Sequence, residues 1–277
     1  MKIFTPLPGE YVASVLQRGN EMLGLKPVTL KDFHIKPLPR KGYGYALGHK
    51  YESRKHAVFQ FPHFFTERNI SEEVLKNHTL YPLTAALART RKDIAVTPVA
   101  WRKICPDCAL EDFENYGTAY VHRRHVPASV QVCSVHGSRL IDRCTTCSTL
   151  IKNHQISRLS ICSQKYQSQV DEPDPFSFAY SNFVADLLTY NGATPMAHRT
   201  DGLIINSIRL KYGNEIEQND KFIKNLIKKK FGVDLKTPIS STYSVNNYTI
   251  LAFLGCETAE VYFELLSKSE PSSRQVK

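Results

Sequence analysis

Apolar side chains first recur at helical spacing over residues 8–24, where Tyr11, Val12, Val15, Leu16 and Leu23 share a face and Gly24 is placed to end the element. Residues 26–62 lose that period, and the density of Pro and Gly in KPLPRKGYGYALGHK predicts an irregular loop. Ser71 followed by Glu72 and Glu73 predicts a helix start with acids in its first turn. A second helix near 79–91 carries Leu80, Leu83, Ala86 and Leu87. Two short helices with a tight junction after an opening helix form a helix-turn-helix-like unit, an arrangement used both for DNA recognition and in protein-binding bundles. Helical spacing returns after the acidic, proline-containing stretch DEPDP (171–175), with Phe176, Phe178, Phe183, Val184, Leu187 and Leu188 over 176–190. Over 220–231, Phe222, Ile223, Leu226 and Ile227 share one face, while Lys221, Lys224, Lys228, Lys229 and Lys230 lie outside it. Residues 248–266 read as a helix, Gly255 as a turn residue, and a second helix carrying Val261. That second helix bears Glu257, Glu260 and Glu264, which phosphate would repel, so the unit is expected to pack against protein. No internal repeat or coiled coil is present. The pattern predicts a mainly α chain: a helical, helix-turn-helix-like part over 1–100, a central module over 101–170, and a helical, helix-turn-helix-like domain over 171–277.

Charge adds direction to this layout. The 277 residues are 42% hydrophobic and 22% charged, which excludes a disordered or collagen-like chain. The net charge of +10 is uneven: +7 over residues 1–100, +4 over 101–170 and −1 over 171–277. A polyanionic partner is therefore expected at the first two parts, and protein at the last. In the loop, basic and aromatic residues interleave (Arg40, Lys41, Tyr43, Tyr45, His49, Lys50, Tyr51, Arg54, Lys55), which suits a nucleic-acid backbone and unstacked bases. Lys41, Arg54 and Lys55, together with Arg123 and Arg124, are the candidate nucleic-acid contacts. The amino end does not read as a secretory signal, and no apolar run is long enough to span a membrane, so a cytoplasmic location is expected.

The specific chemistry lies in the cysteines. Six of seven fall between Cys105 and Cys162, and in a reducing compartment paired CxxC spacings point to metal rather than disulfides. Cys105-Pro-Asp-Cys108 is followed after 24 residues by Cys133-Ser-Val-His136. Each knuckle puts two ligands on one turn, and together they fill a tetrahedral zinc shell, which makes the site structural and couples metal binding to folding. A second group follows, Cys144-Thr-Thr-Cys147 and then Cys162, with Lys165 and Ser160 standing where a further cysteine would complete the usual spacings. Three readings stay open: His154 as fourth ligand, a water or weakly held metal, or no second metal. Cys256 reads as a small buried hydrophobe. His122 and His125 read as a packing and phosphate-facing surface, and Asp107, Glu111, Asp112 and Glu114 as acids favoured near a helix start, with no assigned chemistry. A zinc hydrolase would need an open metal position and a base, and the chain has no HExxH, so no enzymatic activity is expected.

The run CPDCALEDFENYGTAYVHRRHVPASVQVCSVHGSRLIDRCTTC (105–147) resembles the zinc region of the TniQ/TnsD family of transposon target selectors. FTPLPGEYVASVLQRGNEMLGL (4–25) is similar to the family's opening helix, and NHTLYPLTAAL (77–87) to the segment preceding the zinc region. The resemblance implies a target-selection adaptor that recruits the AAA+ ATPase TnsC. Its modest length points to the type that docks on an RNA-guided CRISPR Cascade-type effector, often as a homodimer. The alternative is a TnsD-type protein that reads a chromosomal attachment site in DNA directly.

Overall fold

A computed structural model of the chain describes residues 5–26, 36–37, 59–60, 68–89, 103–168, 174–213, 216–234 and 245–269. Among these residues the protein is mainly helical: α1 (Val12–Met22), α2 (Arg68–His78), α3 (Tyr81–Ala86), α4 (Pro106–Tyr116), α5 (Ile156–Ser163), α6 (Pro175–Leu187), α7 (Ala197–Tyr212), α8 (Ile216–Phe231), α9 (Val245–Cys256) and α10 (Ala259–Ser269). Lys36–Pro37 and Phe59–Gln60 form a two-residue antiparallel pair, β1 and β2. The loop residues Lys41, Arg54 and Lys55 lie outside the described residues.

The opening segment is bound by pairing before it becomes a helix. Residues ahead of Tyr11 do not join α1, unlike the expected start near residue 8. Instead Tyr11 N–H donates to Val121 O (2.8 Å) and Arg123 N–H to Gly9 O (2.9 Å). Gly9 sits at φ 68°, where a side chain is disfavoured, and Gly24 at φ 66° closes α1 as expected. Behind this segment lies a buried ion pair. Glu10, fully buried, accepts from Arg18 Nε (3.1 Å) and Arg18 Nη2 (2.8 Å), from Ser14 Oγ (2.9 Å) and from Leu7 N–H (3.0 Å).

Helix bounds correct several expectations. α2 begins at Arg68, so Ser71 is not its cap and no acid lies in its first turn. α3 ends at Ala86, short of 91, because the chain turns at Ala88 (φ 55°). The end of the DEPDP stretch is a helix start: Asp174 accepts from Ser177 N–H (3.0 Å) and Ser177 Oγ (2.7 Å), and Pro175 occupies the first turn. Gly255 is not a turn residue. It lies inside α9 (Val245–Cys256), and the turn falls at Glu257 (φ 63°). A Cβ on Gly255 would stand 3.0 Å from Ser207 Cβ and 3.4 Å from Ile204 O, so the glycine is there to let α9 approach α7. Helix α7, buried only along Thr200, Ile204, Ser207 and Ile208 and with a weak apolar period, was not expected from the pattern.

One buried cluster runs from Tyr11 and Leu16 through the cysteine-rich segment to Tyr262 and Leu266. α9 is buried on nearly all sides, and Phe253 meets Phe176, Tyr180 and Phe183 with ring centroids 5.2–5.6 Å apart. Tyr262 donates from α10 to Ala86 O at the end of α3 (2.7 Å). Among the described residues no helix is long and apolar enough to cross a membrane.

Candidate metal centres

The fold draws the cysteine-rich segment into two clusters: Cys105, Cys108, Cys133 and His136, and Cys144, Cys147, His154 and Cys162, with ligand atoms in each within 4.8 Å of one another. Each is assembled from a helix and a turn. In the first, Cys105 caps α4 and Cys108 lies in its first turn, where the helix N-terminus favours thiolate. Cys133 and His136 come from a turn in which Cys133 N–H donates to Ser138 O (2.8 Å) and Gly137 N–H to Cys133 O (2.9 Å). The second cluster repeats that turn, with Cys144 N–H to Thr149 O (2.8 Å) and Ser148 N–H to Cys144 O (3.0 Å). The position after each pair is left-handed, Gly137 at φ 71° and Ser148 at φ 58°, so the second turn places a serine where the first uses glycine. The helix of the second cluster is α5, which carries Cys162, and His154 stands two residues before it. The order along the chain is thus helix, turn, turn, helix.

The donor sets fit a closed tetrahedral ion. Bonds of about 2.3 Å to sulfur and 2.1 Å to nitrogen put ligand atoms about 3.5–3.8 Å apart. In the first cluster Cys108 and Cys133 Sγ are 3.5 Å apart, and His136 Nδ1 lies 3.6, 3.3 and 3.7 Å from the sulfurs of Cys105, Cys108 and Cys133. In the second, His154 Nε2 lies 3.5 Å from Cys162 Sγ, so the fold brings His154 into the cluster where a fourth donor would stand. The other ring nitrogen of each histidine is held by an acceptor: His136 Nε2 by Glu111 Oε1 (2.9 Å) and His154 Nδ1 by Gln155 O (2.8 Å). Such partners fix the tautomer that leaves the ligating nitrogen bare. Three thiolates and an imidazole around a divalent cation leave a negative charge. At the first cluster Arg124 answers it, donating to Cys108 Sγ (3.2 Å), and at the second Tyr166 donates to Cys144 Sγ (3.3 Å). The two sites differ in shielding: Cys105, Cys108 and Cys133 are buried, whereas Cys147 is exposed.

Several side chains around these clusters do work that spacing did not reveal. Glu111 follows Cys108 by three positions, one helical turn, so its contact with His136 had a signal in the sequence. Asp107 accepts from Ser138 Oγ, and Asp112 pairs with His122 Nε2 (2.8 Å). His122 and His125 pack inside the fold rather than face phosphate, His125 being 1% exposed. Glu21 reaches from α1 to the start of α5, accepting from Ile156 N–H (3.1 Å), Ser157 N–H (2.8 Å) and Ser157 Oγ (2.8 Å). It thereby caps the helix that carries Cys162. Arg123 is also engaged internally: its guanidinium donates to Lys76 O and to Leu188 O (3.1 Å), and burial draws its pKa down to about 10. Cys256 is buried in α9, and burial pushes its thiol pKa up.

Replacing Glu111 with Ala is expected to weaken metal binding at the first cluster about 10–100-fold while leaving the second unchanged, because only His136 loses its orienting partner. Competition with a chelator that resolves two metal equivalents per chain checks this; equal loss from both clusters would contradict it.

The TniQ family model matches residues 3–140, the stretch that runs from the opening segment through α1 and the whole of the first cluster. Comparison with curated proteins gave no match. With that match spanning the opening segment, the CPDC knuckle and the CSVH turn that the fold joins in one cluster, the chain belongs to the TniQ family, a non-catalytic accessory family of transposition, and is a transposition-associated target-selection protein.

Proposed function

We propose that this protein is a non-enzymatic adaptor that links an RNA-guided, CRISPR Cascade-type effector at target DNA to the AAA+ ATPase TnsC, with zinc in both clusters as a structural element. The family match over residues 3–140 carries the reading. Two features support it. Both donor sets supply four protein ligands, so a bound ion keeps no position for water or substrate and rigidifies a platform instead. The clusters are tied to the amino-terminal helix by Glu21 and to the carboxyl-terminal helices by Ser129, whose hydroxyl meets Tyr180 OH and Asn246 Oδ1 at 2.6 Å each. A partner held on one part therefore feels the position of the others.

The test uses the full chain purified with its metal, offered in separate experiments to a TnsC-type ATPase, to a guide-loaded Cascade-type effector and to duplex DNA alone. Specific complexes with the ATPase and with the effector are expected. Association with neither, or tight binding to a single duplex sequence without RNA or effector, would overturn the reading; the latter would mark a direct reader of an attachment site.

A further inference from the structure

The geometry points to a further contact surface: the outward face of α8, which we assign to sequence-independent binding of the phosphate backbone of duplex DNA. Residues 220–231 carry five lysines and one aspartate. The helix is held by its opposite side, where Ile223, Ile227 and Phe231 are buried and the Phe231 ring lies against Phe176 (5.4 Å) and Tyr180 (4.7 Å). That anchoring fixes which side chains face out. At about 100° per residue, the crest of the outward face falls at the exposed Asn225, with Lys221 and Lys228 on one flank and Lys229 on the other. Lys224 is paired with Asp220 (2.6 Å), and Lys230 lies over the Phe176 ring (4.9 Å). Lys228 has only a distant partner in Asp234 (3.9 Å), and both of those side chains are two-thirds exposed. Among the side chains the structure describes, Lys221 and Lys229 have no acidic partner; in sequence Glu217 precedes Lys221 by four positions.

Three features select duplex DNA as the occupant. A helix about 10–12 Å across matches a B-form major groove about 12 Å wide, whose two walls are phosphate strands. Lysines on both flanks of one crest meet both walls, whereas a single strand offers one backbone and the narrow major groove of A-form RNA excludes a helix. Lysine binds as a point charge, and no arginine stands on this face of α8 to grip a base edge in bidentate fashion, so the contact positions the protein without reading sequence. The exposed ring of Phe222 (54%) continues the Lys229 flank and leans on Tyr212 (5.9 Å), leaving an apolar edge beside the charges. The net charge of −1 over residues 171–277 conceals this surface, because it averages the lysines of α8 with acids spread along the rest of the segment, such as Asp186, Asp201, Glu257, Glu260 and Glu264.

The experiment titrates the full, metal-loaded chain into a random-sequence duplex of about 30 base pairs over a salt series. The parent is expected to bind, and Lys221→Gln/Lys228→Gln/Lys229→Gln to bind about tenfold more weakly at low salt, with the slope of log K against log salt shallower by about 2–3. Lys221→Arg/Lys228→Arg/Lys229→Arg is expected to keep the parental slope, which separates lost charge from a folding defect. No duplex binding by the parent, an unchanged slope in the glutamine variant, an equal loss in the arginine variant, or a loss confined to single-stranded RNA would each overturn the assignment. The inference stands apart from the adaptor reading, since duplex binding by the free protein needs neither the ATPase nor the effector, and either result can fail alone.

Discussion

Cys108→Ser, purified as the full chain, is expected to bind one zinc ion where the parent is expected to bind two, and to melt well below it. Cys108 is the hinge of the first cluster: its sulfur lies 3.5 Å from Cys133 Sγ, 3.3 Å from His136 Nδ1 and within reach of the Arg124 guanidinium. A serine oxygen is a poor zinc donor, and the remaining ligands would form an open, weak site. The segment between the two halves of this cluster is rich in turns, its regular structure amounting to the rest of α4 and a short 3-10 turn at Arg123–His125, and the cluster is flanked only by single bridges, Ile104 with Ile141 and Val132 with Arg139. The apolar side chains buried there are mostly small, Ala109, Ala119, Val121, Val126 and Val130, and structural zinc contributes about 10–16 kcal/mol of apparent binding free energy to zinc-finger folds. The loss should also spread, because Tyr120 and Val121 hold the amino-terminal segment through Pro8 and Tyr11, and His122, paired with Asp112 of α4, bridges Glu10. Elemental analysis and thermal melting decide the matter. Two zinc ions with an unchanged melting temperature would refute a structural role for this cluster. Cys147→Ser, at the exposed ligand of the second cluster, serves as the internal comparison and should lower the melting temperature less.

Glu10→Ala is expected to destabilise the metal-loaded protein by about 3–5 kcal/mol. The carboxylate is fully buried and accepts four hydrogen bonds, two of them from Arg18. Removing it leaves a buried guanidinium whose remaining acceptor among the described residues is Thr5 O (2.9 Å), and an uncompensated charge in that setting is the dominant cost. The backbone adds to the effect: Glu10 O accepts from His78 Nδ1 (2.8 Å), so a shift of this segment reaches α2 as well. Burial holds the His78 ring below its ordinary pKa, in keeping with a neutral ring that donates to this carbonyl. Chemical unfolding should show the lower midpoint, and Glu10→Ala/Arg18→Met should lose less than the two single variants added together, since the second change removes the stranded charge. A cost for Glu10→Ala below about 1 kcal/mol would mean that the pair is solvated rather than buried.

The two clusters show where residue spacing suffices and where it stops. Cys105, Cys108, Cys133 and His136 were legible because CxxC and CxxH each fix two ligands on one local turn, and only their union needs the fold. The place of His154 was not decided by spacing, because a side chain outside a knuckle is brought into the cluster by the path of the chain before α5, and several paths fit the same gap. Lysine periodicity on 220–231 was legible, but its accessibility was not, since Phe222, expected in the apolar face, lies exposed while Phe231 turns inward. Arg123 and Arg124 show the converse. Their charge suggested phosphate, yet the fold supplies carbonyls and a cysteine sulfur as acceptors, and charge counting has no access to what stands opposite a side chain.

By itself, then, the sequence determined the helical character of the chain, the first metal-ligand set and the family, because each rests on periodicity or on ligands a few residues apart. Tertiary structure alone decided the gathering of Cys144, Cys147, His154 and Cys162 into one cluster, the Glu10–Arg18 pair, the Glu21 cap on α5, the close approach at Gly255 and the inward turn of the Arg123–Arg124 pair. Contacts of that kind join residues up to about half the chain apart, as Glu21 and Ser157 are, and they depend on how helices stack. Packing follows from the burial of the whole apolar surface at once, which no local window of residues contains.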